Sequence, residues 1–279
     1  MSADPLELLL SVVVPLKNEE PNVPLLHLEL TAVLVSAAIP YELILVDDGS
    51  TDGTFEALAR VQQGDARVRV IRFDRNYGQT AAFAAGFARA TGRYVATLDG
   101  DLQNDPADLP RLLALASTHD VVCGWRQNRH DAWLTRTLPS VAANWLLGLV
   151  SGTRLHDNGC SLKVFRTDIV KRLNLRPGMH RYLAPIAGQI GDRLVEVVVN
   201  HRPRRFGRSK YGLSRTFRVA ADLVRLRALM RSAIDPGAPR ARLYGIAEIL
   251  ERPSGGGVSV PTAAAGAARS SFSRDDGRL

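Results

Sequence analysis

Short apolar runs, rich in β-branched residues, alternate with longer helix-like stretches from residue 9 to about residue 124. This alternation predicts a parallel sheet built from repeated β/α units. The predicted strands are 10–14, 42–46, 68–73, 94–98 and 120–123, and the predicted helices are about 22–37, 53–63, 78–90 and 106–116. Beyond residue 125 the alternation fades into basic and amphipathic segments, with one further predicted strand at 194–200.

Composition and charge narrow the class of protein. A chain of 279 residues with 46% apolar and 23% charged residues can bury a folded core. The net charge of +8 favours anionic partners such as nucleic acid, nucleotide diphosphates or an anionic membrane surface. Two distant cysteines indicate neither a disulfide framework nor a zinc site, so we expect a reducing cytoplasm. We also expect no secretory signal and no membrane-spanning run.

Acidic or polar residues follow three of the predicted strands, at 15–20, 47–52 and 99–103. Ligands of an open parallel sheet bind at the carboxyl ends of its strands, where these residues would share one edge. Asp99 and Asp101 could together hold a hard cation, Mg²⁺ or Mn²⁺, and the diphosphate it binds, with Gln103 completing the coordination. Each motif alone is also explained by a solvated turn or a helix cap.

The run Asp99 to Pro106, DGDLQNDP, resembles the DxDLQxxP signature of polyprenyl-phosphate glycosyltransferases, which have the GT-A fold of glycosyltransferase family 2. The similarity covers about residues 9–213. It implies an α/β fold with a Rossmann-like, mostly parallel central sheet flanked by helices. The arginine-rich segment after residue 213 predicts amphipathic C-terminal helices, and the composition after about residue 251 predicts a disordered tail. The expected divisions are a catalytic domain at 1–213, a basic helical extension at 214–250 and a tail at 251–279.

The resemblance also implies roles for individual residues. Asp99 would contact ribose or metal, and Asp101 and Gln103 would bind the metal. Asn104 and Asp105 depart from the commoner residues before the proline. The residues implied to bind the nucleotide are Pro15, Glu19, Asp47 and Asp48.

A phosphate acceptor, with a second pKa of about 6, is already ionised at pH 7 and needs cations more than it needs a base. The basic run 201–212 supplies them and resembles the family's R-x-G-x-SKY segment. Arg202, Arg205, Ser209 and Lys210 are therefore expected at the donor diphosphate or the acceptor phosphate. Asp157 lies in another family-like loop and is expected to orient acceptor or sugar, with a base role allowed but not required.

Residues 134–150 carry Trp and Leu at helical spacing beside arginines, which fits either an interfacial helix or a core helix. Arginines within 213–233 prevent membrane spanning and favour a peripheral position at the cytoplasmic face of the membrane.

The predicted function is inverting transfer of a sugar from a UDP- or GDP-sugar to a polyprenyl phosphate. No nucleic-acid partner is expected, because the acidic sheet edge would repel it. Two alternatives stay open: a saccharide or other hydroxyl acceptor, or a non-catalytic basic adaptor for membrane or nucleic acid. The donor's base and sugar, and homo-oligomer formation, are left open.

Overall fold

A computed structural model of the chain describes residues 8–127, 152–153, 155–203, 228, 230–235 and 243–251. Its centre is an eight-stranded sheet with the order β7-β5-β6-β4-β1-β2-β3-β8. The strands are β1 (Leu10–Leu16), β2 (Tyr41–Asp47), β3 (Val68–Phe73), β4 (Tyr94–Thr97), β5 (Val121–Trp125), β6 (Lys163–Arg166), β7 (Leu194–Val198) and β8 (Ile246–Leu250). The helices are α1 (Val23–Ser36), α2 (Thr54–Gly64), α3 (Gln79–Arg89), α4 (Leu109–Ala116), α5 (Thr167–Arg172) and α6 (Leu183–Ala187).

The sheet is parallel through its middle and mixed towards both edges. β4, β1, β2 and β3 are parallel neighbours, as are β5 and β7, whereas β6 and β8 pair antiparallel. Successive side chains of the buried strands face opposite sides, so Val12 and Val14 join one apolar cluster and Val13 joins the other. Helices α1, α2 and α4 cover the first face, and α3, α5 and α6 cover the second. Burial on both faces explains the near-continuous apolar strands.

The predicted fold class is confirmed, and every strand and helix predicted within residues 9–124 is present. The sequence did not predict β6, a four-residue antiparallel strand between β4 and β5, nor the short helices α5 and α6. Within the expected helical extension 214–250, residues 230–234 are helical. The expectation of a helix was wrong for residues 246–250, which form strand β8. This strand hydrogen-bonds with β3 at the edge of the sheet. The amphipathic segment 134–150 and the tail after residue 251 lie outside the described residues.

Helix α3 lies unusually close to the central strand β1. A Cβ added at Gly86 would come within 2.2 Å of Val13 Cγ1, so glycine permits this approach. Gly78 and Gln79, at the start of α3, lie near Pro15 and Leu16 at the carboxyl end of β1.

Candidate active site

A cleft of about 330 Å³ opens at the carboxyl ends of β1, β2 and β4. Five of the residues predicted to bind nucleotide or metal line this cleft together: Pro15, Glu19, Asp48, Asp99 and Asp101. Strand order explains the convergence, because β1 lies between β2 and β4 and all three run in the same direction. Four carboxylates therefore line one cleft: Glu19, Asp48, Asp99 and Asp101.

Hydrogen bonds join the loops after β1 and β2 into one rim. The Asn18 N–H donates to Ser50 Oγ at 2.9 Å, and the Thr51 N–H donates back to Asn18 Oδ1 at 2.8 Å. Asn18 has a φ of 51°, in the left-handed region that asparagine tolerates better than most residues. The Glu19 N–H donates to Thr54 Oγ1 at 2.9 Å, which holds this carboxylate at the cleft.

Asp47 and Asp48 have different environments. Asp47 is fully buried, accepts the Ser50 N–H at 2.9 Å and is not part of the cleft lining. Asp48 lines the cleft and accepts the Tyr77 N–H at 2.7 Å and the Gly78 N–H at 3.0 Å. Burial raises the pKa of Asp48, while these two amides oppose the rise. Asp48 thus anchors the turn before α3, and Asp47 supports the loop after β2.

Asp99 and Asp101 are the two carboxylates of the cleft that follow β4. Asp99 Oδ1 accepts a hydrogen bond from Gln79 Nε2 at 2.5 Å, and Asp101 Oδ1 accepts the Gln103 N–H at 3.2 Å. Burial and then the negative charge of Asp101 raise the pKa of Asp99. A divalent cation between them would offset both effects, so the two carboxylates fit a metal.

Gln103 and Arg202 connect the loop after β4 to the segment after β7. The Arg202 N–H donates to the Gln103 carbonyl at 2.8 Å, and Gln103 Nε2 donates to the Arg202 carbonyl at 3.4 Å. The Arg202 guanidinium pairs with Glu29 and Asp105, each at 2.6 Å. Neither side chain lines the cleft. In the structure two neighbouring carboxylates hold Arg202, so the expected contacts of Arg202 with a substrate phosphate and of Gln103 with the metal stay predictions.

Asp157 forms a buried ion pair with Arg126. Both carboxylate oxygens accept from the guanidinium, at 2.7 and 3.0 Å, and the Arg126 N–H adds a contact at 3.3 Å. Hydrogen bonding and the Asp157 charge outweigh burial and raise the pKa of Arg126 above its usual range. Asp157 lines neither the cleft nor a second, smaller cavity that adjoins it. This geometry suits positioning of Arg126 better than proton abstraction.

Three predicted site residues, Arg205, Ser209 and Lys210, lie outside the described residues. Other residues line the cleft that the sequence analysis did not single out as site residues. Lys17 directly follows β1, and Gln79 is the first residue of α3, so their positions at a strand end and a helix start could have indicated them.

The lining residues His180 and Arg181 arrive from a distant loop. Thr80 Oγ1, at the start of α3, accepts the Gly178 N–H at 3.1 Å and the His180 N–H at 3.3 Å. Gly178 has a φ of 89°, which favours glycine in this turn. The two segments are 100 positions apart, so no local pattern indicates this contact.

Neither a cluster of three or more metal-binding side chains nor a membrane-spanning helix is found in the part of the chain that the structure describes. No cluster there contains three or more His, Cys, Asp or Glu side chains arranged to hold a metal. No helix in the same ranges is both long and apolar enough to cross a bilayer.

The model of the family "Glycosyl transferase family 2" matches residues 11–173. Dodecaprenyl-phosphate galacturonate synthase of Rhizobium johnstonii is 46% identical over 240 residues, covering 84% of this chain and 71% of the relative. Glucosyl-3-phosphoglycerate synthase from Mycobacterium tuberculosis, solved with Mn²⁺, UDP and glucosyl-3-phosphoglycerate, has a TM-score of 0.61 and 21% identity, covering 82% of each chain. The same enzyme solved with phosphoglyceric acid has a TM-score of 0.60 at 21% identity and the same coverage. At this identity the structural likeness shows the fold alone.

Proposed function

The chain belongs to glycosyl transferase family 2, a group of sugar-transferring enzymes, and on this premise we propose that it transfers galacturonate from a nucleotide diphosphate donor to a polyprenyl phosphate. The family resemblance predicted from the DGDLQNDP run is thereby confirmed. The observation that carries the proposal is the convergence of Glu19, Asp48, Asp99 and Asp101 in one cleft, in a chain 46% identical to a polyprenyl-phosphate galacturonate synthase.

The part of the cleft lined by these carboxylates is the proposed donor site. The nucleotide would lie against Pro15, Glu19 and Asp48, and Asp99 and Asp101 would hold Mg²⁺ or Mn²⁺. Magnesium is commonly held by one or two carboxylates plus substrate phosphates, so a site with only two acidic ligands suits it. The bound cation would supply charge neutralisation for the departing nucleotide diphosphate. Mn²⁺ and UDP accompany the structural neighbour, which supports a divalent metal without choosing between the two ions.

The acceptor phosphate needs positioning rather than deprotonation. With a second pKa of about 6 it is largely dianionic at pH 7, and a single displacement at the anomeric carbon inverts the configuration. Arg205, Ser209 and Lys210 remain the residues proposed to hold it. The ion pair between Arg126 and Asp157 supports this scheme, because a carboxylate engaged through both oxygens is a poor base.

A polyprenyl acceptor implies action at a membrane surface. The net charge of +8 suits peripheral attachment to anionic lipid at the cytoplasmic face. Residues 134–150 remain the proposed interfacial helix.

The direct test is Asp101→Ala, assayed with purified protein, divalent metal, a panel of UDP- and GDP-sugars and polyprenyl phosphate. We expect loss of at least about 100-fold in kcat, because the variant removes a ligand that acts on leaving-group charge. Asp192→Asn is the matched control, since Asp192 is exposed and lies outside the cleft lining. Undiminished transfer by Asp101→Ala contradicts the metal role. Transfer by the wild type to hydroxyl acceptors alone contradicts the proposed acceptor.

A further inference from the structure

A small side chamber of about 50 Å³ adjoins the main cleft. The two cavities share four lining residues, Gln79, Asp99, His180 and Arg181, so the chamber opens where the proposed metal carboxylate lies. Since about 10–15 Å³ of such space is enough for one water molecule, this volume suits a group of a few heavy atoms. Phe83 and Leu183 add apolar wall to the chamber.

Arg181 stands out among the cleft residues because one nitrogen of its guanidinium, Nε, is buried without a hydrogen-bond partner in the described part of the chain. Arg202 and Arg126, by contrast, are each paired with carboxylates. Leaving a buried donor unsatisfied costs about 1–3 kcal/mol, and more for a charged group. An arginine that lines both cavities with this donor unsatisfied therefore points to a ligand that accepts hydrogen bonds.

The chamber's charge favours an anionic ligand group. Lys163 is 3% exposed, lines the chamber and donates to the Asn158 carbonyl at 3.3 Å and to the Cys160 carbonyl. His180 lines it too, and its Nδ1 lies 2.9 Å from Thr80 Oγ1. Among the described residues that line the chamber, Asp99 is the only carboxylate; Gln79 contacts it, and the proposed cation would neutralise it. The positive charges of Lys163 and Arg181 would then remain, and they favour an anionic ligand group.

We propose that Arg181 is the specificity-determining residue that binds the carboxylate of a uronic acid donor, holding it at the mouth of the side chamber. The inference rests on the proposed function and adds how the enzyme would distinguish a uronic acid from a neutral hexose. The planar guanidinium can donate two parallel hydrogen bonds to a carboxylate. A neutral hexose has a hydroxymethyl group at the same carbon and would form no such pair with Arg181.

The same arginine is a poor match for the acceptor phosphate. The prenyl chain must leave the phosphate towards the membrane, whereas the chamber is small and its lining includes Phe83 and Leu183. The carboxylate of a sugar, by contrast, is attached to a ring that stays in the main cleft beside Asp99. Volume and access therefore favour the carboxylate.

The test compares UDP-galacturonate with UDP-galactose, which differ only in the group at C6, in the wild type and in Arg181→Gln. We expect the wild type to prefer the galacturonate donor, and the variant to lower the ratio of the two kcat/KM values by about 10- to 100-fold. The KM for polyprenyl phosphate should not change. Arg60→Gln is the control, because Arg60 is an exposed arginine on α2 outside both cavities.

Equal loss with both donors, an unchanged ratio, or a raised KM for polyprenyl phosphate would overturn the inference. Calorimetric binding of the two UDP-sugars gives a second measurement that needs no acceptor. If the wild type transfers no sugar to polyprenyl phosphate yet binds UDP-galacturonate through Arg181, the proposed acceptor is wrong and the inference stands. If Arg181→Gln does not fold, Arg181→Lys provides the test. This variant keeps the positive charge but loses the planar guanidinium, so it should lower the ratio of the two kcat/KM values partially. An unchanged ratio contradicts the proposal.

Discussion

Replacing Asp157 by asparagine separates a positioning carboxylate from a catalytic base. The change keeps the shape of the side chain but turns one acceptor oxygen into an NH₂ group. That group would face a guanidinium N–H that now donates to Asp157 at 2.7 or 3.0 Å. Arg126 would then keep a largely buried positive charge without its counter-ion.

The expected loss of stability follows from burial. Removing one partner of a buried ion pair costs roughly 3–5 kcal/mol. The side chains of Asp157 and Arg126 are 5% and 16% exposed, so water partly reaches the guanidinium and the lower end of that range applies. A loss of about 3 kcal/mol lowers the Tm of a domain of this size by roughly 6–12 °C. Differential scanning calorimetry measures this shift, with Asp192→Asn as the exposed control.

A double variant, Arg126→Met with Asp157→Leu, sharpens the result. Apolar replacement of both partners removes the unpaired charge and should recover most of the lost stability. Wild-type Tm in the single variant refutes the energetic reasoning.

The pH profile of kcat/KM provides a second test. Its acidic limb should be retained in Asp157→Asn, because Asp157 is not the group whose ionisation it reports. Loss of the acidic limb in a folded variant shows that Asp157 acts as a base.

Two further predictions concern stability alone. Gly49→Ala should lower the free energy of unfolding by more than about 2 kcal/mol, measured as a lower Tm, because φ is +65° and the new Cβ would lie 2.3 Å from the Arg75 carbonyl carbon. Gly64→Ala is the control and should not destabilise the protein, because no neighbouring atom lies within 4 Å of the new Cβ. Equal losses in the two variants would contradict this reasoning. At Asp65, burial raises the pKa but hydrogen bonds led by Arg67 outweigh it, giving about 2 against an ordinary value of 3.8. Because the folded pKa is the lower one, Asp65 contributes about 2 kcal/mol above pH 4, lost as pH falls from about 4 to 2. Urea unfolding of Asp65→Asn should lack this part of the pH dependence, and an unchanged dependence would contradict it.

The amino-acid sequence by itself determined the β/α half of the sheet and its acidic edge. Strands such as Val68–Phe73 were predictable because apolar run length and turn residues are local properties of the chain. The presence of Asp48 and Asp99 in one cleft was also predictable, since parallel strands of one sheet end at the same edge. The DGDLQNDP run predicted the family for a similar reason, because its chemistry is carried by residues adjacent in the chain.

Tertiary structure alone decided which cations face the cleft and which are engaged elsewhere. Arg202 pairs with Glu29 across 173 positions, and Arg126 with Asp157 across 31. Arg181 reaches the cleft because Thr80 holds the loop of residue 178 nearly 100 positions away. In the sequence these arginines look alike. An arginine's role depends on whether a carboxylate lies within about 3 Å of its guanidinium, and only the folded chain sets that distance.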